Sequence, residues 1–196
     1  MVVGFIFKRV IPSMVIYYGA MQAYLGYHMF TTPSTLQKPM SSLIKPNEAR
    51  KKLVQGVKDV YKGNAKPETF QNWSKDFEFE DMFTYMEGIG PITNTGYLIK
   101  EFDPVVIDYK SEVHYEDGFR LEMTHNYTAF KRFTFTLPTV IYAKTERDKL
   151  VAIRDEFFGK SLITEGNAPF MFIGKMSRVI RTVQGKLFNL RTTQNP

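Results

Sequence analysis

The chain is expected to fold as one compact α+β domain with a helical appendage at each end. Three observations predict this. Short amphipathic helical segments come first, four long extended runs follow, and short polar turns join those runs. Helices before strands favour an α+β arrangement, and polar turns between successive strands favour an antiparallel meander. The 196 residues divide into an N-terminal segment 1–32, a linker 33–45, a body 46–165 and a basic C-terminal helix and tail 166–196.

Residues 10–37 carry no Lys, Arg, Asp or Glu. The richest apolar part, Val10 to Phe30, would measure about 31 Å as a helix, close to the hydrocarbon thickness of a bilayer. Lys8 and Arg9 precede it, and Tyr17 and Tyr18 offer rings to a membrane interface. Gly19 and Gly26 lie on nearly one helix face and would let a second helix approach. A spanning or partly embedded helix is the first expectation. A cleaved secretory signal, a mitochondrial transit peptide and a helix buried against the chain's own domain are the alternatives. Pro33 begins a Pro- and Ser-rich linker.

The body opens with Leu53, Val57, Val60 and Tyr61 at helical spacing between Pro46 and Tyr61. A second short helix is expected over 67–73, with Pro67 at its start. Asp76 to Asp81 alternates acid and aromatic, the period of a strand. A third helix is expected over 90–102. Extended runs then cover 104–115, 119–130, 133–143 and 149–158. In the tail, Phe172, Met176, Val179, Ile180, Val183 and Leu187 form an apolar stripe, with Lys175, Arg178, Arg181 and Lys186 at other angles. Such a helix suits an anionic membrane surface, or equally a docking position on its own domain.

Charge is unevenly spread. The formal net charge is +6, with +4 in residues 1–47 and +5 in 170–196, which leaves −3 in the middle. Basic ends suit anionic lipid or an acidic partner, and the acidic body argues against nucleic acid. Absence of cysteine excludes a disulfide framework and a thiolate metal site or nucleophile. No His-Glu-x-x-His spacing and no phosphate-binding glycine loop occurs, so no cofactor or metal is expected.

The order of helices, strand, helix and meander resembles the NTF2-like superfamily, in particular its SnoaL-like branch. The resemblance is carried by Trp73 to Asp81 and by Leu150 to Leu162. The second stretch is similar to a family pattern of His-x-Asp-x-Trp-x-Gly, with Arg154 read at the His and Phe157 or Phe158 at the Trp. The resemblance implies a cone of short helices on a curved antiparallel sheet, with a pocket between them. It also implies acid–base groups in that pocket. His125, Asp76 and Asp81 are the catalytic candidates on that reading. His114, Glu78, Tyr115 and Asp155 are weaker ones, and Arg154 is expected in a surface ion pair with Asp155 or Glu156. His125 is favoured because it shares a strand face with Leu121 and Met123.

Expected function follows from the ends more than from the pocket. The leading expectation is a non-catalytic accessory subunit of a membrane complex. Its expected place is the mitochondrial inner membrane, in a respiratory or ATP synthase assembly, where it supplies structural and binding surface. Lys8, Arg9, Tyr17, Tyr18, Lys175, Arg178, Arg181 and Lys186 would meet lipid, and other subunits of the complex would be its partners. The alternative is a membrane-tethered SnoaL-like enzyme or a carrier of a small hydrophobic ligand. A cone filled by aromatics would exclude the alternative. An open cone with His125 against a carboxylate would count against the accessory subunit.

Overall fold

The computed structural model describes residues 16, 19–20, 23–24, 27, 41–82, 84–129, 131–159 and 178–186. Helix α1 spans Glu48–Tyr61. Asn47 caps it, its side chain accepting from Arg50 N at 2.8 Å, and Glu48 sits in the first turn where the helix dipole favours an acid. Gly63, at φ +69°, turns the chain away after the last helical residues. Leu53, Val54, Val57, Val60 and Tyr61 are buried, as the helical spacing predicts.

A one-turn 3-10 helix, Pro67–Phe70, leads into β1, Trp73–Glu80. Strand β2, Tyr85–Glu87, returns beside it. Helix α2, Ile89–Leu98, runs into a second 3-10 turn, Ile99–Phe102. The meander then follows: β3 Val105–Tyr115, β4 Gly118–Ala129, β5 Phe133–Glu146 and β6 Lys149–Phe157. All four expected extended runs are strands. The sheet order is β2-β1-β6-β5-β4-β3.

Two features differ from the expected all-antiparallel sheet. Strand β1 pairs with β6 in parallel, so the sheet is mixed. A hairpin forces antiparallel pairing, but β1 and β6 are joined through α2 and the whole meander, and that long connection lets both strands enter from one end. Strand β2 is the other difference. Three residues are too few to show a period of two.

Register shifts in β1 and at two places in β3 bend the sheet, as bulges do. Helices α1 and α2 lie against the concave side. The core between them includes Val57, Trp73, Phe77, Phe119, Leu121, Met123, Ile141 and Leu150. Trp73 stacks on Phe77 at 4.7 Å, and Phe70 meets Trp73 edge-on at 5.0 Å. Arg50 is buried and staples α1 to the β3–β4 turn, donating to Tyr115 O and Gly118 O, both at 2.6 Å, and to Glu116 O at 3.1 Å.

Residues 178–186 are helical and dock on the β1–β2 edge. Arg181 is 2% exposed and donates to Glu80 Oε1 at 2.5 Å and to Asp81 O at 3.2 Å. Arg178 lies over the Tyr85 ring at 4.7 Å. The expected lipid contact is therefore corrected at Arg181. A buried guanidinium without its carboxylate would be left uncompensated, so the pair holds it inward. Arg178 is exposed but engaged with Tyr85, and Lys186 is exposed. Gly185 makes the docking possible, since a Cβ there would lie 2.4 Å from Tyr85 O. Gly185→Ala is expected to weaken the docking by about 1–3 kcal/mol, the usual range for overpacking. Faster amide exchange confined to 178–186 would report it.

Lys8, Arg9, Tyr17, Tyr18 and Lys175 lie outside the described residues, as does most of the expected membrane segment. Among the described residues no helix is long and apolar enough to cross a membrane.

Candidate functional site

The concave face does not close completely. A cavity of about 300 Å³ remains between the sheet and α2, at the lower end of the range for small-molecule sites. Val60 and Tyr61 reach it from α1. Ile92, Thr95, Gly96 and Leu98 line it from α2, with Ile99 and Phe102 beyond. The sheet contributes Phe79, Tyr127, Phe135, Leu137, Ile153, Asp155 and Phe157, and Asp81, Thr84 and Met86 complete the wall. Most of these side chains are apolar. The cone is therefore open, not filled by aromatics.

Asp155 is the polar centre. It is 2% exposed, and its Oδ2 accepts from the Tyr61 hydroxyl at 2.7 Å. Its Oδ1 is buried and has no hydrogen-bond partner among the described residues. Burial raises the Asp155 carboxyl well above its usual range; the Tyr61 hydrogen bond opposes the rise, and the nearby acids Asp81 and Glu156 add to it. The Tyr61 phenol is itself raised well above its ordinary value, by burial and then by Asp155. It thus keeps its proton and donates. A proton on Asp155 belongs on Oδ1, the oxygen that no described group occupies. Tyr61→Phe would leave both carboxyl oxygens unpartnered, and a loss of about 1–3 kcal/mol is expected in urea unfolding.

Strand register explains why Asp155 points inward. Alternate residues of β6, Ile153, Asp155 and Phe157, line the cavity, whereas Arg154 is part-exposed and pairs with Glu156 at 2.9 Å. Of the two expected partners of Arg154, Glu156 therefore forms the pair and Asp155 does not. The signal for Asp155 was present in the sequence as one acid between two apolar residues at period two.

The other candidates fall as follows. Asp81 lines the cavity, and its Oδ1 accepts from Thr84 N at 2.5 Å. Asp76 is exposed on β1 and does not reach the cavity, because Phe77 takes the inward position beside it. Glu78 is also exposed. His125 is completely buried, as its strand face predicts, but among the described residues no carboxylate meets it. Its ring lies 5.6 Å from Tyr61 and 5.4 Å from Tyr127, behind the cavity wall, and neither ring nitrogen has a partner among the described residues. Burial pushes its pKa down to about 4. The expected pairing of His125 with Asp76 or Asp81 is therefore not formed. His114 bonds Glu112 at 2.9 Å near the β3–β4 turn, and buried Tyr115 supplies its carbonyl to Arg50. Among the described residues no cluster of three or more His, Asp or Glu could hold a metal.

Solved structures share this architecture. An NTF2-like protein from Anabaena variabilis superposes with a TM-score of 0.51 at 12% identity, over 59% of this chain and 95% of its own. An NTF2-like protein of unknown function from Cytophaga hutchinsonii gives 0.45 at 12% identity, over 58% and 92%. A protein with a ketosteroid isomerase-like fold from Catenulispora acidiphila, in complex with trimethylamine, gives 0.46 at 13%, over 53% and 82%. The fold of the body is NTF2-like. No protein-family profile matches the chain, and no curated protein matches it in sequence.

Proposed function

We propose that the chain binds a small apolar molecule in the cone cavity and offers it one hydrogen bond from Asp155. One observation carries this reading: an open apolar cavity holds a buried, elevated carboxyl whose Oδ1 has no partner among the described residues. A neutral carboxyl donates to an acceptor such as a carbonyl oxygen, while the apolar wall gains from burying the rest of the ligand. Burial of a polar atom without a partner is unfavourable, so an acceptor at Oδ1 adds affinity as well as orientation.

Fluorescence titration of the full chain with N-phenyl-1-naphthylamine tests the cavity. Binding is expected, and Leu137→Trp, which fills the wall, should abolish it while the far-ultraviolet circular dichroism stays unchanged. Competition tests the carboxyl. A long-chain ketone should displace the probe better than the matching alkane, and Asp155→Leu should remove that preference. Probe binding that ignores Leu137→Trp would defeat the reading.

Catalysis is the second reading, favoured by the same elevated carboxyl, which could serve as a general acid. Turnover of a carbonyl substrate, lost in Asp155→Asn, is its test. Residues 10–30 fit both readings as a tether that holds the cone near apolar ligands dissolved in a bilayer. Retention of the full chain in membranes after carbonate washing tests that tether. The accessory subunit of a membrane complex draws no support from the fold comparisons, and the open cone leaves the ligand readings standing.

A further inference from the structure

We infer that the tip of the β4–β5 hairpin enters an anionic bilayer surface and thereby turns the cavity mouth toward lipid. The inference stands on the geometry of the hairpin, and only the route for a ligand rests on the proposed cavity function.

Phe133 is 59% exposed and Phe135 46% exposed, large values for two aromatics on one strand. They share the concave face: Phe135 pairs in register with Tyr127 and stacks on its ring at 5.7 Å, and Phe133 pairs with Ala129. Phe135 also lines the cavity. The exposed apolar surface is thus continuous with the interior one. Lys131 and Arg132 form the turn beside it, both exposed, and the Arg132 guanidinium lies over the Phe133 ring at 5.6 Å.

Two cations above exposed aromatics match a bilayer interface. The rings enter the headgroup–acyl boundary while the cations meet lipid phosphates. A protein groove would satisfy the rings equally well, but it would not need paired cations at the tip. The hairpin is also built to project. Thr128 bonds Thr134 at 3.2 Å and Thr136 bonds Asn126 at 2.8 Å on the opposite face, bracing the two strands out to the end.

The chain has no cysteine, so one introduced thiol can be labelled without background. Thr134→Cys in the full chain carries an environment-sensitive nitrobenzoxadiazole dye at the tip. Lys144→Cys, exposed near the other end of β5, is the control. Mixed phosphatidylcholine and phosphatidylglycerol vesicles are expected to brighten and blue-shift the tip label, and spin-labelled lipid should quench it. The Lys144 label should not respond, even if the N-terminal segment tethers the chain. Lys131→Ala with Arg132→Ala should weaken tip insertion about thirtyfold, each cation near anionic lipid counting equally. Phe133→Ser with Phe135→Ser should abolish it with the circular dichroism unchanged.

Equal responses at both labels, or a silent tip, would overturn the inference. So would a tip response that appears without vesicles as protein concentration rises, because a second copy would then cover the surface. Failure of N-phenyl-1-naphthylamine to bind would sink the cavity reading while leaving the tip result intact.

Discussion

Asp155→Asn is expected to stabilise the chain increasingly as pH rises above the range where a free aspartate ionises. In the folded state burial holds the Asp155 carboxyl well above its usual value, against the Tyr61 hydrogen bond and with Asp81 and Glu156 in support. The unfolded chain releases its proton near the ordinary aspartate value of about 3.9. Between those two points the folded state keeps a proton that the unfolded state has lost. Stability therefore falls as pH rises, by about 1.4 kcal/mol for each pH unit of the interval. Below it, both states are protonated and the contribution is complete. An asparagine has nearly the same shape, still accepts from Tyr61, and does not ionise. Urea unfolding should give nearly equal stabilities for the two proteins at low pH and a gap that widens toward alkaline pH. Glu156, also raised mainly by burial, leaves some slope in the variant. Parallel pH profiles would show that the carboxyl ionises in place without penalty.

This slope is a stability sacrificed to keep a polar group in an apolar cavity, and such a compromise marks a site more than a core. A leucine at 155 would pack between Ile153 and Phe157 without ionising. The half-buried Tyr127 beside it points the same way. Its phenol is pushed upward by burial and then by Asp155 and Asp81, so it too keeps its proton at the cavity wall.

Much of the fold was legible because its signals are periodic. Helix α1 shows apolar residues at three- and four-residue spacing, and the four long strands are bounded by polar turns. The pairing of β1 with β6 was not legible, since it depends on a connection some seventy residues long rather than on either strand. Docking of residues 178–186 was legible only as one of two equal alternatives. An apolar stripe with cations beside it suits a membrane surface or the chain's own domain, and the Glu80–Arg181 pair that decides between them spans about a hundred residues. In the site, the inward face of His125 followed from alternation, but its neighbours did not. Asp81 was among the candidates, whereas Asp155 was a weaker one, because Arg154 stood beside both Asp155 and Glu156 as possible partners. Alternation along β6 separates the two faces that adjacency merges. Tyr61 was read only as a core residue of α1, because its partner Asp155 stands 94 residues away.

On the acid side, His125→Leu is expected to remove a loss that the parent chain suffers below neutrality. His125 is buried against Tyr61 and Tyr127 with neither nitrogen partnered among the described residues, and burial holds its pKa down to about 4. A free histidine titrates near 6.5. As pH falls through that value the unfolded chain gains a proton that the fold refuses, so stability is full above it and declines toward pH 4. The loss between pH 7.5 and 4.5 is roughly 2.5 kcal/mol from this one ring. Leucine is close to histidine in volume and leaves no orphaned polar atom, so at pH 7.5 the variant should match or exceed the parent. Urea unfolding at the two pH values provides the measurement. Glu112, whose carboxyl is lowered by Lys58 and His114 against its burial, contributes its own acid-side loss to both proteins, and the difference between them isolates His125. Equal acid-side losses would mean that the ring is protonated inside the fold, and a cation would then stand behind the Tyr61–Asp155 pair where the geometry places a neutral imidazole.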